Sequence, residues 1–195
     1  MEIINAGSLG ENAKEIICKI FVDAFYEGFG ELSRDKAKLY RSFKHIFIVE
    51  RFNIAMIGKE AAGFIACTNG FTNSMKIDPD IFRNEFGIIK GSLIAIMLKK
   101  NFQKRPLKRG NKQGFIEIVA TAPNCQKNGV GSALFNYVFD MPEYESYILE
   151  VGSNNSPGIS LYRKLGFNEI KRKKHIFAKQ SGIDYFIWME KVCVK

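Results

Sequence analysis

Hydrophobic positions along the chain change period several times, and each change marks an element. Ile16, Ile17, Ile20, Phe21, Ala24 and Phe25 recur at helical spacing and predict an amphipathic helix over 12–25, after a short first strand over 1–6. Ser33 is a candidate N-cap for a second helix whose buried face is Leu39, Tyr40 and Phe43. The apolar run 46–49 reads as a strand, and the runs 54–57 and 62–68 around Gly58-Lys59-Glu60 read as a hairpin. A long stretch over 69–112 reads as an insertion within the domain, with one helix from 81 to about 102 that places Phe82, Phe86, Ile89, Leu93 and Met97 on one face. The second half then alternates: strand 114–121, helix 129–139, strand 147–151, helix 157–165, strands 169–173 and 185–192. Such alternation argues for an α/β (α+β) fold with a mixed sheet flanked by helices.

Composition narrows the class. At 195 residues, 46% apolar and 25% charged, the chain is expected to form one domain, and 17 Phe against one Trp predict a core rich in aromatic and Ile side chains. The most hydrophobic stretch, 88–98, is interrupted by Lys90 and falls short of the roughly 18 apolar residues of a membrane span. The first ten residues lack a targeting pattern, so a cytoplasmic location without a membrane partner is expected. Cys18, Cys67, Cys125 and Cys193 form no CxxC pair, and His45 and His175 no HExxH pattern, so no metal is expected.

The net charge of +9 is largely local: residues 99–112 hold seven basic side chains and no acidic one, and without them +2 remains. With a second run at 171–174, this segment either attracts phosphate-bearing or acidic partners or is a solvated loop. It lacks the interleaved aromatics of a stacking surface, so nucleic acid is not an expected partner.

The most informative segment is Gln126-Lys127-Asn128-Gly129-Val130-Gly131, directly after a strand and opening a helix whose Val130, Ala133, Leu134, Tyr137 and Val138 share a face. Two glycines let backbone approach a ligand, and the free amides of a first helical turn suit a pyrophosphate. A P-loop needs Lys-Ser or Lys-Thr after its second glycine, but Ser132 and Ala133 follow Gly131; a dinucleotide fingerprint needs a third glycine.

At these residues the chain resembles the GNAT N-acetyltransferase superfamily. The run Ile116-Glu117-Ile118-Val119-Ala120-Thr121-Ala122-Pro123, followed by the glycine segment, is similar to the family's acetyl-CoA motif, Gln/Arg-x-x-Gly-x-Gly/Ala. Asn155 to Phe167 (NSPGISLYRKLGF) is similar to its later helix, with Asn155, Tyr162 and a Leu-Gly-Phe element in order. The resemblance covers 114–167; Thr121 stands where Val is commoner and Cys125 where an aromatic is usual.

The resemblance implies a mostly antiparallel central sheet with splayed central strands, acetyl-CoA as co-substrate, and transfer to the amine of a small molecule or peptide. It implies that backbone at Val119, Ala120 and Thr121, exposed by a bulge, pairs with the cofactor's pantetheine arm. The amides from Gln126 through Lys127, Asn128, Gly129, Val130 and Gly131 to Ser132 would hold the pyrophosphate.

Glu117, an acidic residue in an apolar strand, is the candidate base, against a solvent-facing or ion-paired Glu. Tyr162 matches the position of the family's usual acid, against a core tyrosine. Asn155 either contacts the cofactor or serves only as an N-cap before Pro157. Cys125 has no nearby histidine, so direct transfer in a ternary complex is expected rather than an acetylated thiol. A non-catalytic CoA-binding regulatory module is the competing reading, with Glu117→Gln and Tyr162→Phe as the kinetic discriminators. The acceptor wall is expected from Tyr26, Phe29 and residues 71–100, and the protein as a monomer or homodimer.

Overall fold

A computed structural model of the chain describes residues 1–30, 32–103, 112–175, 178 and 182–193. Its seven strands are β1 (Glu2–Asn5), β2 (Phe52–Ile57), β3 (Glu60–Thr68), β4 (Gln113–Thr121), β5 (Ser146–Gly152), β6 (Asn168–Lys174) and β7 (Tyr185–Val192). They form one sheet in the order β1-β2-β3-β4-β5-β7-β6. Every neighbouring pair is antiparallel except β4 and β5. This is the mixed, mostly antiparallel sheet that the resemblance implied.

Among the described residues the α-helices that flank it are α1 (Ala13–Phe25), α2 (Lys36–Phe43), α3 (Pro79–Phe86), α4 (Ile88–Phe102), α5 (Val130–Phe139) and α6 (Ser156–Lys164). Two cores follow from strand alternation. On one face Ile54, Phe64, Ile118 and Ala120 pack with α1 to α4 through phenylalanines linked ring to ring, with centroids 4.7–5.6 Å apart from Phe29 through Phe43, Phe21, Phe47 and Phe52 to Phe64. On the other, Ile65, Ile116, Leu149 and Val151 pack with Leu134 and Phe135 of α5 and Ile159 and Tyr162 of α6. Gly63 is required where the two layers meet, since a Cβ there would lie 2.6 Å from the Ala120 carbonyl oxygen and 2.8 Å from Val130.

Several expectations are corrected. Residues 46–49 are not a strand: they lie in and between two 310 turns, Lys44–Ile46 and Val49–Arg51, with a single bridge from Phe47 to Met75. The N-cap of α2 is Asp35, whose carboxylate accepts from the Lys38 amide at 3.2 Å, while Ser33 Oγ accepts from the Asp35 amide. The helix expected over 81–102 is two, divided at Gly87, whose φ of 81° ends α3.

The buried face of α4 also differs from expectation: Gly91, Ile94, Ala95 and Leu98 turn inward, leaving Ile89 80%, Leu93 64% and Met97 44% exposed. Close approach decides this, because a Cβ on Gly91 would sit 2.3 Å from the Phe82 carbonyl oxygen. The small residues let α4 press against α3, and the larger side chains are left outside. Of the basic segment, residues 104–111 lie outside the described residues; Lys99 and Lys100 are exposed at the end of α4, and Lys112 pairs with Glu145.

Candidate active site

The parallel β4–β5 pair lies at the centre of the sheet and is short. Its ladder runs from Gln113↔Ser146 to Ile116↔Leu149 and stops. Beyond it, β4 continues to Thr121 paired to β3, and β5 continues to Gly152 paired to β7. Two main-chain edges thus face each other across an opening gap, with peptide groups that the ladder does not use.

The register of β4 against β3 shifts at the same level. Ala66 opposes Ile118 and Cys67 opposes Ile116, so Glu117 is the extra residue of a bulge. Parity confirms it, since Ile116 and Ile118 would share a face in a regular strand but belong to opposite cores. The bulge was expected at Val119 to Thr121; it lies at Glu117, and Val119, Ala120 and Thr121 instead form the regular stretch of β4 along the gap.

Glu117 is half-buried at the bulge. Its Oε1 accepts from Thr68 Oγ1 at 2.6 Å, and its Oε2 accepts from the Ser74 amide at 2.9 Å and Ser74 Oγ at 2.7 Å. Hydrogen bonds to an ionised group are worth about 1.5–3 kcal/mol each, so these donors fix the carboxylate in one orientation and tie the loop after β3 to β4.

At the far end of β4 the chain turns through a 310 turn, Pro123–Cys125, into the glycine segment. Residues 126–129 are exposed, whereas Val130 is buried between α5 and the sheet and anchors the start of the helix. Gly129 is left-handed at φ 77°, and Lys127 adopts φ 63°, a conformation costing a non-glycine residue about 1–2 kcal/mol. Within the turn, Cys125 donates to Ala122 at 2.8 Å, Gln126 to Pro123 at 3.5 Å and Ala133 to Gly129 at 3.0 Å. Among the described residues no acceptor engages the amides of Gly129, Val130, Gly131 and Ser132, which form a concave array at the N-terminus of α5.

From the other side of the gap comes α6. Asn155 caps it, accepting from the Gly158 amide at 3.0 Å, with Pro157 in the first turn. The capping role is present, and the exposed side chain keeps its Nδ2 donors and a second lone pair on Oδ1 for a ligand. Leu161 closes over the glycine turn, its Cδ2 3.0 Å from where a Cβ on Gly131 would stand. Tyr162 is 8% exposed, edge-on to Phe135 at 5.5 Å and to Phe167 at 6.1 Å, and its hydroxyl has no hydrogen-bond partner among the described residues. Burial raises its pKa to about 12, so it is fully protonated at neutral pH.

Two motifs separated by about thirty residues in sequence thus meet where Leu161 covers Gly131, and similarity to known proteins follows the same stretch. The profile of the acetyltransferase (GNAT) family matches residues 14–167. The chain belongs to that family. An N-alpha-acetyltransferase from Sulfurisphaera tokodaii is 35% identical over 71 residues, covering 34% of this chain and 42% of that protein. A [ribosomal protein bS18]-alanine N-acetyltransferase from Escherichia coli is 33% identical over 67 residues, covering 33% and 45%. The match thus spans less than half the length of these relatives. Among solved structures, the Escherichia coli ribosomal-protein-S18-alanine N-acetyltransferase superposes with TM-score 0.57 over 100% of this chain and 95% of that one at 15% identity. The Brucella melitensis ribosomal-protein-alanine N-acetyltransferase gives 0.60 over 98% and 99%, at 15% identity. These likenesses establish the GNAT fold.

Within that fold, Thr68 and Ser74 hold Glu117 although no local motif marks them. Phe29, expected at the acceptor wall, is buried and stacked on Phe43 at 4.7 Å, so it belongs to the core; Tyr26 donates its hydroxyl to the Arg34 carbonyl at 2.8 Å. Among the described residues no cluster of three His, Cys, Asp or Glu side chains is placed to hold a metal.

Proposed function

We propose that this GNAT member transfers an acetyl group from acetyl-CoA to a primary amine of a small molecule or peptide, by direct attack in a ternary complex. The observation that carries the proposal is the coincidence of four uncommitted amides, 129–132, with a gap between β4 and β5 that opens beside them. The amides suit a diphosphate, and the gap suits an extended pantetheine arm pairing with β4 over Val119, Ala120 and Thr121.

Attack requires a neutral amine, and deprotonating a lysine-like ammonium at pH 7 costs about 4–5 kcal/mol. In this proposal Glu117 attracts the ammonium at the apex of the gap and takes its proton through water. The donors of Thr68 and Ser74 hold the charge where the amine must lie. The nitrogen forms a bond to the thioester carbonyl carbon, and main-chain amides along the open edge of β4 polarise the oxygen as it becomes negative. Collapse breaks the C–S bond: the proton still on the attacking nitrogen passes through water to the departing sulfur, which Tyr162 steadies with a hydrogen bond, so the products are the amide and the free thiol of CoA. The acceptors named for the relatives are α-amines, so peptide amino termini head the acceptor screen.

Calorimetric titration tests the reading: acetyl-CoA is expected to bind with one-to-one stoichiometry, and Glu117→Gln to keep that affinity while transfer falls. Absence of binding at millimolar acetyl-CoA refutes it.

A further inference from the structure

The apolar side chains left outside on α4 form a continuous stripe. At about 100° per residue, Ile89, Leu93, Ile96 and Met97 fall on one side of the helix, and Ile88 extends it at the amino end; they are 80%, 64%, 65%, 44% and 77% exposed in that order. The opposite face, Gly91, Ile94, Ala95 and Leu98, already packs on the core, so among the described residues the stripe is left without a packing role. Lys99 and Lys100 are exposed at its carboxyl end. The helix carries no acidic residue, and the nearest ones before it, Asp80 and Glu85, are paired with Arg83 and Arg41. In sequence, residues 88–112 hold eight of the 29 basic side chains and none of the 20 acidic ones, so the rest of the chain is nearly neutral.

We propose that α4 is a docking surface for an anionic lipid bilayer, lying in the plane of the interface with Ile89, Leu93, Ile96 and Met97 inserted and Lys99 and Lys100 on the headgroups. Charge selects this occupant. An amphipathic helix with a large apolar side chain in every turn and a basic rim matches the chemistry of a negatively charged headgroup region. A second copy of the chain would bring two all-basic segments together. A helix about 22 Å long and 10 Å wide also offers only about 220 Å² of footprint, against the roughly 800 Å² per partner of a stable dimer. No helix among the described residues is long and apolar enough to cross a membrane, so the association is peripheral and reversible. It does not rest on the acetyl-transfer reading, since the stripe is the face of α4 turned away from the core that contains β4.

Flotation with vesicles of 7:3 phosphatidylcholine and phosphatidylserine, against pure phosphatidylcholine, tests the proposal. The wild type is expected to partition at least tenfold better to the anionic vesicles. Lys99→Ala with Lys100→Ala is expected to weaken binding about thirtyfold, at about fivefold per lysine. Leu93→Ser with Ile96→Ser is expected to weaken it tenfold or more with an unchanged unfolding midpoint, both side chains being exposed. The single variant Ile96→Trp gives a second readout, a blue-shifted emission on vesicle addition that 0.5 M salt reverses. Equal partitioning of wild type and the Leu93→Ser/Ile96→Ser variant overturns the proposal. So does a solution dimer that this variant converts to monomer, which would identify a second copy as the occupant.

Discussion

Removing the Tyr162 hydroxyl separates two chemical roles that are otherwise hard to tell apart. Complete proton transfer to the leaving thiolate runs from a phenol at about 12 to a thiol near 8.5, a difference of about 3.5 units or roughly 5 kcal/mol uphill. A hydrogen bond from the intact phenol to the developing negative sulfur has no such penalty and is worth about 1.5–3 kcal/mol. The burial that raises the pKa therefore favours donation without transfer. Tyr162→Phe is expected to lower kcat by about 10- to 150-fold, with acetyl-CoA affinity within about twofold of wild type. The ring keeps its contacts with Phe135 and Phe167, and the hydroxyl has no partner to lose among the described residues, so stability is expected to change by less than about 1 kcal/mol. Thiol release measured with a chromogenic disulfide, titration calorimetry and urea unfolding read the three quantities. An unchanged kcat refutes the role, and a fall beyond about 10⁴-fold refutes the argument that transfer is too costly to be the main contribution. A stability loss above about 2 kcal/mol would show that the hydroxyl is paired.

Ser74→Ala removes the hydroxyl donor to Glu117 Oε2, and a loss of about 1.5–3 kcal/mol in urea unfolding is expected, together with a fall in transfer rate at unchanged acetyl-CoA affinity. Gly131→Val places branched carbons against Leu161 and over the amide array; calorimetry is expected to show acetyl-CoA affinity reduced at least tenfold. Gly91→Ala gains about 1 kcal/mol in helix propensity but drives a Cβ into the Phe82 carbonyl, so a net destabilisation of about 1–3 kcal/mol is expected by thermal unfolding. Burial holds the His45 imidazole below its ordinary range while Nε2 accepts from the Asp78 amide at 3.2 Å. The unfolded chain thus binds the proton first, and the contribution present above about pH 6.5 is expected to be lost as pH falls below it, with a flatter profile in His45→Gln.

What the sequence reveals depends on how local the deciding interaction is. In β4, β5, α5 and α6 apolar runs of strand or helical period are bounded by turn residues adjacent in sequence, and the expected elements coincide with the observed ones to within a residue or two. The glycine turn is equally legible, because a free first turn of helix and a left-handed Gly129 are properties of a few consecutive residues. In α4, by contrast, two apolar faces compete. Judging by side-chain size favours Ile89, Leu93 and Met97, whereas the outcome was set by how closely Gly91 lets the backbone approach α3, which no periodicity encodes. The paired caps Ser33 and Asp35 show the same thing on a smaller scale, since either residue type starts a helix and only the register of Lys38 selects between them.

Glu117 lies at the limit of this local legibility. Its identity is visible as one acid in an apolar run, but strict alternation hides the bulge, because an extra residue leaves no trace in composition and simply exchanges the faces of Ile116 and Ile118. Its donors come from 49 and 43 residues away, and nothing near Thr68 or Ser74 distinguishes them from other loop hydroxyls. The bulge and the clamp depend on each other. Ending the regular β3–β4 register at Glu117 releases that residue from strict alternation, and the Thr68 and Ser74 donors then compensate a half-buried carboxylate that would otherwise be costly. The same residue lies immediately beyond the last β4–β5 pair, Ile116↔Leu149, so one irregularity both orients the charge and sets the level at which the gap begins. Shortening β4 by deleting Glu117 would therefore restore the regular ladder and remove the site together, whereas Glu117→Gln keeps the gap and removes only the charge.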